Sequence, residues 1–177
     1  MNQEKYHISI RILHWLMAII IIALLAVGFY MTNGLSKEAP YRMTIYNLHK
    51  SLGVTILTLI ALRIFFRLSR PIPLLPDSMP KVIQKLAHST HFLLYLLMIL
   101  MPLSGYLMSN SYGFPVYLFG LKMPILVERN MDMAQFFAEA HGYLGFILVG
   151  VLVLHIAGVI KHRFFDKNEN DILSRMI

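Results

Sequence analysis

Four long stretches of this chain carry almost no charge, and each is long enough to cross a bilayer as a helix. They lie at about 10–31, 43–66, 84–109 and 137–161. A helix rises 1.5 Å per residue, so about 20 apolar residues cover roughly 30 Å of hydrocarbon. Backbone amides in lipid need internal partners, which helices supply. The pattern predicts an all-α, integral membrane four-helix bundle that forms a single domain over residues 1–177.

Lysine and arginine are distributed unevenly around these stretches. Eleven of the sixteen lie at the termini or in the second connection, and five lie in or beside the first and third connections. Because cytoplasmic loops of membrane proteins carry the excess of basic residues, both termini are predicted to be cytoplasmic in a bacterial inner membrane. Topology and contact with membrane lipid thus explain the net charge of +7, and no nucleic acid partner is expected.

The sequence contains eight histidines and no cysteine. The lack of cysteine excludes iron–sulfur clusters, c-type haem attachment and thiolate zinc sites. Several histidines lie within the apolar stretches, where an ionisable group is energetically costly and by default indicates a functional site.

Fourteen residues separate His141 from His155 in the fourth stretch. This spacing is close to four full helical turns and a rise of about 21 Å, so both side chains share a face at opposite membrane depths. His14 matches the depth of His155, and His49 matches that of His141. Two imidazole pairs predict two b-type haems in the bundle core, since zinc or copper prefers three or four ligands at one depth.

Two further sequence features bear on these pairs. His88 and His91 also lie near the cytoplasmic side, and by spacing alone they compete for that site. Gly53, Gly145 and Gly158 follow His49, His141 and His155 within about one turn. A missing side chain leaves room for a flat macrocycle, although small residues also let helices pack closely without any cofactor.

Several short motifs resemble the prokaryotic cytochrome b-561 family, in matching order and over nearly the whole chain. They are Leu13-His14-Trp15, His49-x-x-x-Gly53, Arg63-x-x-x-Arg67, Leu86-Ala87-His88-x-x-His91 with Tyr95, Phe119-Gly120-Leu121-Lys122-Met123-Pro124, His141 with Gly145, and His155. The resemblance implies a di-haem cytochrome linked to quinone, with haem ligands at the positions of His14, His49, His141 and His155. It also implies an enzyme that oxidises superoxide at the periplasmic side and reduces ubiquinone.

Other polar residues have both a functional and a plainer interpretation. Arg63 and Arg67 lie one turn apart, where their guanidinium groups suit haem propionates, or where they simply anchor the cytoplasmic end of the helix. Three histidines are candidates for binding quinone or carrying its protons, or are interfacial residues: His88, His91 and His162. Three basic residues are candidates for attracting superoxide, or contact lipid head groups: Arg42, Lys50 and Lys122.

Two other functions compete with the oxidoreductase. One is a haem-bearing membrane anchor subunit that relays electrons between quinone and a soluble dehydrogenase or hydrogenase, against which the short connections argue. The other is a metal or proton transporter, for which the predicted spans lack broken helices and intramembrane carboxylates.

The visible spectrum of the purified protein separates these classes. Bound b-type haem is expected to give a Soret band and, on reduction, split α-bands, because two haems in different surroundings absorb differently. Haem quantitation is expected to give about two haems per chain. A colourless protein would contradict both redox interpretations.

Overall fold

The computed structural model of the protein describes residues 4–76, 78–166 and 171–177. The elements are α1 (Ile8–Asn33), α2 (Arg42–Ser69), α3 (Lys81–Ser111), β1 (Tyr117–Leu118), β2 (Leu121–Lys122), α4 (Met131–Phe164) and a 3-10 turn (Leu173–Arg175). The two short strands pair antiparallel as a hairpin. Each of the four long helices is long and apolar enough to cross a membrane, which confirms the predicted four-helix membrane bundle.

Local sequence explains where the helices begin and end. Arg70 precedes Pro71 and is extended (φ −127°, ψ 147°), because a residue before proline disfavours helical geometry, and α2 ends there. The Asn130 side chain accepts a hydrogen bond from the backbone amide of Met133 at 3.0 Å. This cap supports a start of α4 at Met131, earlier than the 137 expected from the apolar pattern.

The apolar surface of the bundle faces outward. Only 11% of the most apolar window of α1 and 6% of that of α4 is buried within the chain. A water-soluble domain would bury such helices on at least one face, so the natural solvent of these surfaces is hydrocarbon. The interior is a thin core, in which Met17, Ile56 and Ile60 form one cluster and Leu97, Leu148 and Val151 form another.

Both chain termini lie at the same end of the bundle, which we call the terminal end. The backbone amide of Tyr6 donates to the carbonyl of Arg175 at 3.1 Å, and Trp15 Nε1 donates to the carbonyl of Met176 at 3.0 Å. Arg163 of α4 is paired with Asp171, just before the 3-10 turn. The last residues of the chain therefore pack across the ends of α1 and α4.

The opposite end, which we call the hairpin end, is covered by the connection between α3 and α4. Ser51 is 3% exposed; its hydroxyl donates to the carbonyl of Tyr117 at 2.8 Å and accepts from the amide of Phe119 at 3.2 Å. Tyr106 of α3 donates to the carbonyl of Pro124. These bonds place the hairpin over the ends of α2 and α3.

Replacing Ser51 by alanine is expected to loosen the hairpin without unfolding the bundle. Both hydrogen bonds of the buried Ser51 hydroxyl are lost, at a cost of about 1–3 kcal/mol for the two bonds together. Hydrogen exchange at Phe119 reports the change. Thr58→Ala is the control, because the hydroxyl of Thr58 donates to the carbonyl of Val54 within the same helix. Equal protection of Phe119 in both variants would contradict the tethering role of Ser51.

Candidate functional site: two imidazole pairs

At the hairpin end, His49 of α2 faces His141 of α4, with their ring centroids 6.4 Å apart. At the terminal end, His14 of α1 faces His155 of α4 at 6.2 Å. Two imidazoles that bind one metal from opposite sides, at about 2 Å each, have ring centres roughly 6 Å apart. The bundle therefore brings together the same pairs that sequence spacing predicts, at a separation that suits one shared metal per pair.

A cavity of about 1090 Å³ surrounds the hairpin-end pair. His49 and His141 both line it, and the rest of its wall is mainly apolar and comes from all four helices. Three cationic side chains also belong to the lining: Lys37, Arg42 and Lys50. Among the described residues that line the cavity there is no carboxylate, so its fixed charge is positive.

The ring of His141 is held by α3. Its Nδ1 lies 3.0 Å from the carbonyl oxygen of Met101 and 3.1 Å from the hydroxyl of Ser104. A carbonyl only accepts hydrogen bonds, so Nδ1 carries the proton in this contact. In a neutral imidazole the other nitrogen, Nε2, then has a free lone pair, which is the form that binds a metal.

His49 differs from His141, because the Nδ1 atom of its ring is buried and, among the described residues, finds no hydrogen-bond partner. Gly28 of α1 leaves space beside this ring; a Cβ added there would lie 3.6 Å from Cε1. A buried ring nitrogen without a protein partner costs free energy. The cavity that His49 lines leaves room for a bound group to supply a partner to this ring.

At the terminal end, His91 lies close to the His14–His155 pair, with its ring centroid 5.3 Å from that of His155. The guanidinium groups of Arg63 and Arg67 lie 5.9 and 5.8 Å from the centre of the Tyr95 ring. Arg63 also donates to the Tyr95 hydroxyl at 3.1 Å. This end therefore contains three imidazoles and two cations, and both cations contact the ring of Tyr95.

The structure separates the other histidine candidates. His88 is exposed on the outer surface of α3, one turn from His91. His162 is buried, and its Nδ1 lies 2.6 Å from Asp166 Oδ2. Lys161 donates to both oxygens of that carboxylate, at 2.8 and 3.0 Å, and this contact lowers the pKa of Asp166 below its ordinary value. His162 thus connects to a partly exposed, ionised carboxylate.

Two of the three basic residues that are candidates for attracting superoxide line the cavity, and the third does not. Arg42 and Lys50 line the cavity, and Lys50 Nζ donates to the carbonyl of Pro115 at 3.0 Å. Lys122 lies on β2, where it is exposed, and it is not among the residues of the cavity wall. Lys37, to which the sequence pattern assigned no role, is the third cationic residue of the cavity wall.

The sequence model of the family described as prokaryotic cytochrome b561 matches residues 5–177. The chain belongs to this family. The cytochrome is 31% identical to cytochrome b561 homolog 2 of Escherichia coli K12, over 98% of this chain and 92% of that protein. It is 30% identical to a probable superoxide oxidase, CybB, of Yersinia pestis, over 93% of this chain and 91% of that protein.

Membership confirms the family resemblance and implies membrane electron transfer through b-type haem. The residues of this cytochrome fit that cofactor. The hairpin-end cavity is large and apolar, two imidazoles face each other across it, and His141 has the tautomer that leaves Nε2 free. Within the described residues, no group of three or more His, Asp or Glu side chains is placed to hold a bare metal ion.

Several residues that shape the site carry no clear signal in the sequence. Gly28 and Gly105 are the glycines whose missing side chains face histidine rings, whereas the glycines one turn after His49 and His141 face Pro102 and Met101. A Cβ at Gly158 would contact nothing within 4 Å. The spacing of residues along one helix predicts neighbours within that helix. It does not predict the contacts that a glycine makes with a histidine on another helix.

Proposed function

We propose that this cytochrome is a superoxide:ubiquinone oxidoreductase of the bacterial inner membrane, with its terminal end in the cytoplasm and its hairpin end in the periplasm. Two superoxide anions each give up one electron at the hairpin end and leave as O₂. One ubiquinone takes the two electrons, with two protons from the cytoplasm, and becomes ubiquinol. The cation-lined cavity around His49 and His141 carries the proposal, and the name of the Yersinia relative supports the same substrate.

The proposed cofactors are two haem b groups. His49 with His141, and His14 with His155, are the residues proposed to hold the haem irons, supported by ring separations of 6.4 and 6.2 Å. Bound haem supplies one-electron exchange between ferric and ferrous iron, which suits a donor that gives one electron at a time. One member of each pair lies on α4, and the two are about 21 Å apart along its axis, which spreads the pairs across most of the bilayer.

At the hairpin end, the side chains that meet the substrate are Lys37, Arg42 and Lys50. Their charges raise the local concentration of a small anion at the cavity, because a cleft of one sign within low-dielectric walls focuses the field. Superoxide leaves as a neutral molecule after losing its electron, so these cations attract the substrate and do not retain the product. No proton is needed at this end.

At the terminal end, Arg63 and Arg67 are the proposed partners of the haem propionates. Guanidinium groups bind carboxylates through paired donors, and the stacking of both groups on Tyr95 holds them beside the His14–His155 pair. The two cations replace water around carboxylates that would otherwise be costly to place in the membrane.

Quinone reduction needs two protons, and histidines at the terminal end are the proposed carriers. His91 is favoured over His88 for contact with the quinone, because its ring lies 5.3 Å from that of His155 whereas His88 is exposed. His162 is proposed to pass protons inward from water by way of Asp166, which is 19% exposed and accepts the hydrogen bond of its ring. Imidazole exchanges protons readily near neutral pH.

Replacing single histidines tests the ligand assignment. His141→Ala and His155→Ala are each expected to remove one haem and leave the other, because each residue belongs to a different pair. Haem per chain and the reduced α-bands are the measurements. His88→Ala, at an exposed site on α3, is the matched control and is expected to retain both haems. Loss of a haem from His91→Ala with retention in His14→Ala would transfer the terminal-end ligand to His91.

Removing a cation from the cavity tests the substrate. Lys50→Gln or Arg42→Gln is expected to slow reduction of the cytochrome by superoxide about 10-fold at low salt, and added salt should slow the unmodified protein, as for a steered anion. Stopped-flow absorbance follows the reaction. Arg129→Gln, at the same end and outside the lining, is the control for the loss of one charge.

Reoxidation by ubiquinone, measured on the same preparation, distinguishes an oxidoreductase from a membrane anchor subunit. Reoxidation of the reduced cytochrome by ubiquinone should be unchanged in the cavity variants, because quinone is proposed to react at the other end. A cytochrome that exchanges electrons with quinone but is never reduced by superoxide would contradict the proposed donor and favour a soluble protein partner.

A further inference from the structure

A serine and a glycine of α3 lie against the ring of His141, two and three residues after a proline of the same helix. Pro102 is the proline inside α3, and it has no backbone amide, so the carbonyl of Met98 loses its usual helical partner and the helix is locally weakened. Ser104 is 7% exposed and donates to the carbonyl of Met101 at 2.8 Å. The same carbonyl accepts from His141 Nδ1 at 3.0 Å.

Gly105 makes the approach of the ring possible. A Cβ added at this position would lie 2.9 Å from Cε1 of His141 and 3.1 Å from Nδ1. The first distance is shorter than Cβ contacts in proteins and the second is tight, so a side chain at this position would require the ring to move. Two hydrogen-bond contacts at Nδ1 therefore hold the imidazole of His141, and Gly105 lies beside the ring.

We propose that Met101, Pro102, Ser104 and Gly105 form a seat on α3 that sets the orientation and tautomer of His141, and that Ser104 and Gly105 are positioning residues for the hairpin-end redox site. The proposal rests on the proposed role of His141 as a haem ligand. α3 contributes no histidine to this pair, yet it holds the ring on one side and contacts α2 on the other, where a Cβ at Gly53 would lie 3.8 Å from Pro102.

The chemistry of the seat follows from the hydrogen bond at Nδ1. A partner on the second ring nitrogen fixes the ring and raises the basicity of the nitrogen that binds the metal, and loss of such partners typically weakens metal binding or activity 10- to 100-fold. Hydrogen bonding around a haem ligand also tunes the reduction potential. Because His49 Nδ1 finds no partner among the described residues, the seat acts on only one of the two proposed ligands.

Two variants test the seat by different routes. Gly105→Ala places a methyl group where the ring lies, so the variant is expected to hold the hairpin-end haem about 10- to 100-fold more weakly and to keep the other haem. Ser104→Ala removes one hydroxyl without adding volume, so both haems should remain while the midpoint potential of one haem changes. Ser104→Thr, which restores the hydroxyl, is expected to return the potential toward that of the unmodified protein.

Matched controls make the same substitutions elsewhere in the chain. Gly150→Ala lies on α4 where a Cβ meets nothing within 4 Å, and Ser89→Ala lies on the exposed surface of α3; both should keep two haems at unchanged potentials. If Ser104→Ala and Gly105→Ala also leave both potentials and both haems unchanged, the seat has no such role. His141→Ala distinguishes the two failures, because retention of both haems in that variant would overturn the proposed ligand instead.

Discussion

An imidazole ring inside hydrocarbon is energetically costly, and two of the imidazole rings on α4 each lie against a ring from another helix of this bundle. His141 and His155 lie about four turns apart on one face, so each meets a helix other than its own at a different depth. α2 provides the facing ring at the hairpin end and α1 provides it at the terminal end. Because the lipid is as apolar as the side chains that face it, burial of apolar surface gives these helices little reason to adopt one fixed arrangement. Paired rings, hydrogen bonds and close contacts at glycines supply that reason.

The two ends of the bundle differ in charge and in access to water. At the hairpin end, Lys37, Arg42 and Lys50 face a wide cavity without a carboxylate among its described lining residues. At the terminal end, two arginines stack on Tyr95 beside a group of three imidazoles, and a carboxylate connects His162 to solvent. An end with positive charge suits an anionic electron donor, and an end with titratable groups suits an acceptor that takes up protons. The proposed direction of electron flow follows from this asymmetry.

α3 has a structural role that its histidines do not reveal. The half of α3 near the hairpin end contains no histidine, but its backbone carbonyl at Met101 and the hydroxyl of Ser104 contact Nδ1 of His141. Pro102 lies in the same turn and meets α2 near Gly53. A helix that contacts both helices of a pair in this way fixes the distance between the rings, which a rigid metal–ligand geometry requires.

Much of this architecture can be predicted from the sequence because it depends on periodicity within single helices. Long uncharged stretches define the spans, the spacing of fourteen residues puts His141 and His155 on one face, and depth matches each of them with His49 or His14. Packing between helices determined the remaining features of the site. It decided that His91 turns toward His155 while His88 faces outward, that Lys37 and not Lys122 lines the cavity, and that Gly105 is the glycine facing His141. These outcomes depend on the rotation of each helix about its own axis and on where a connection folds back, which are set by contacts between residues distant in sequence.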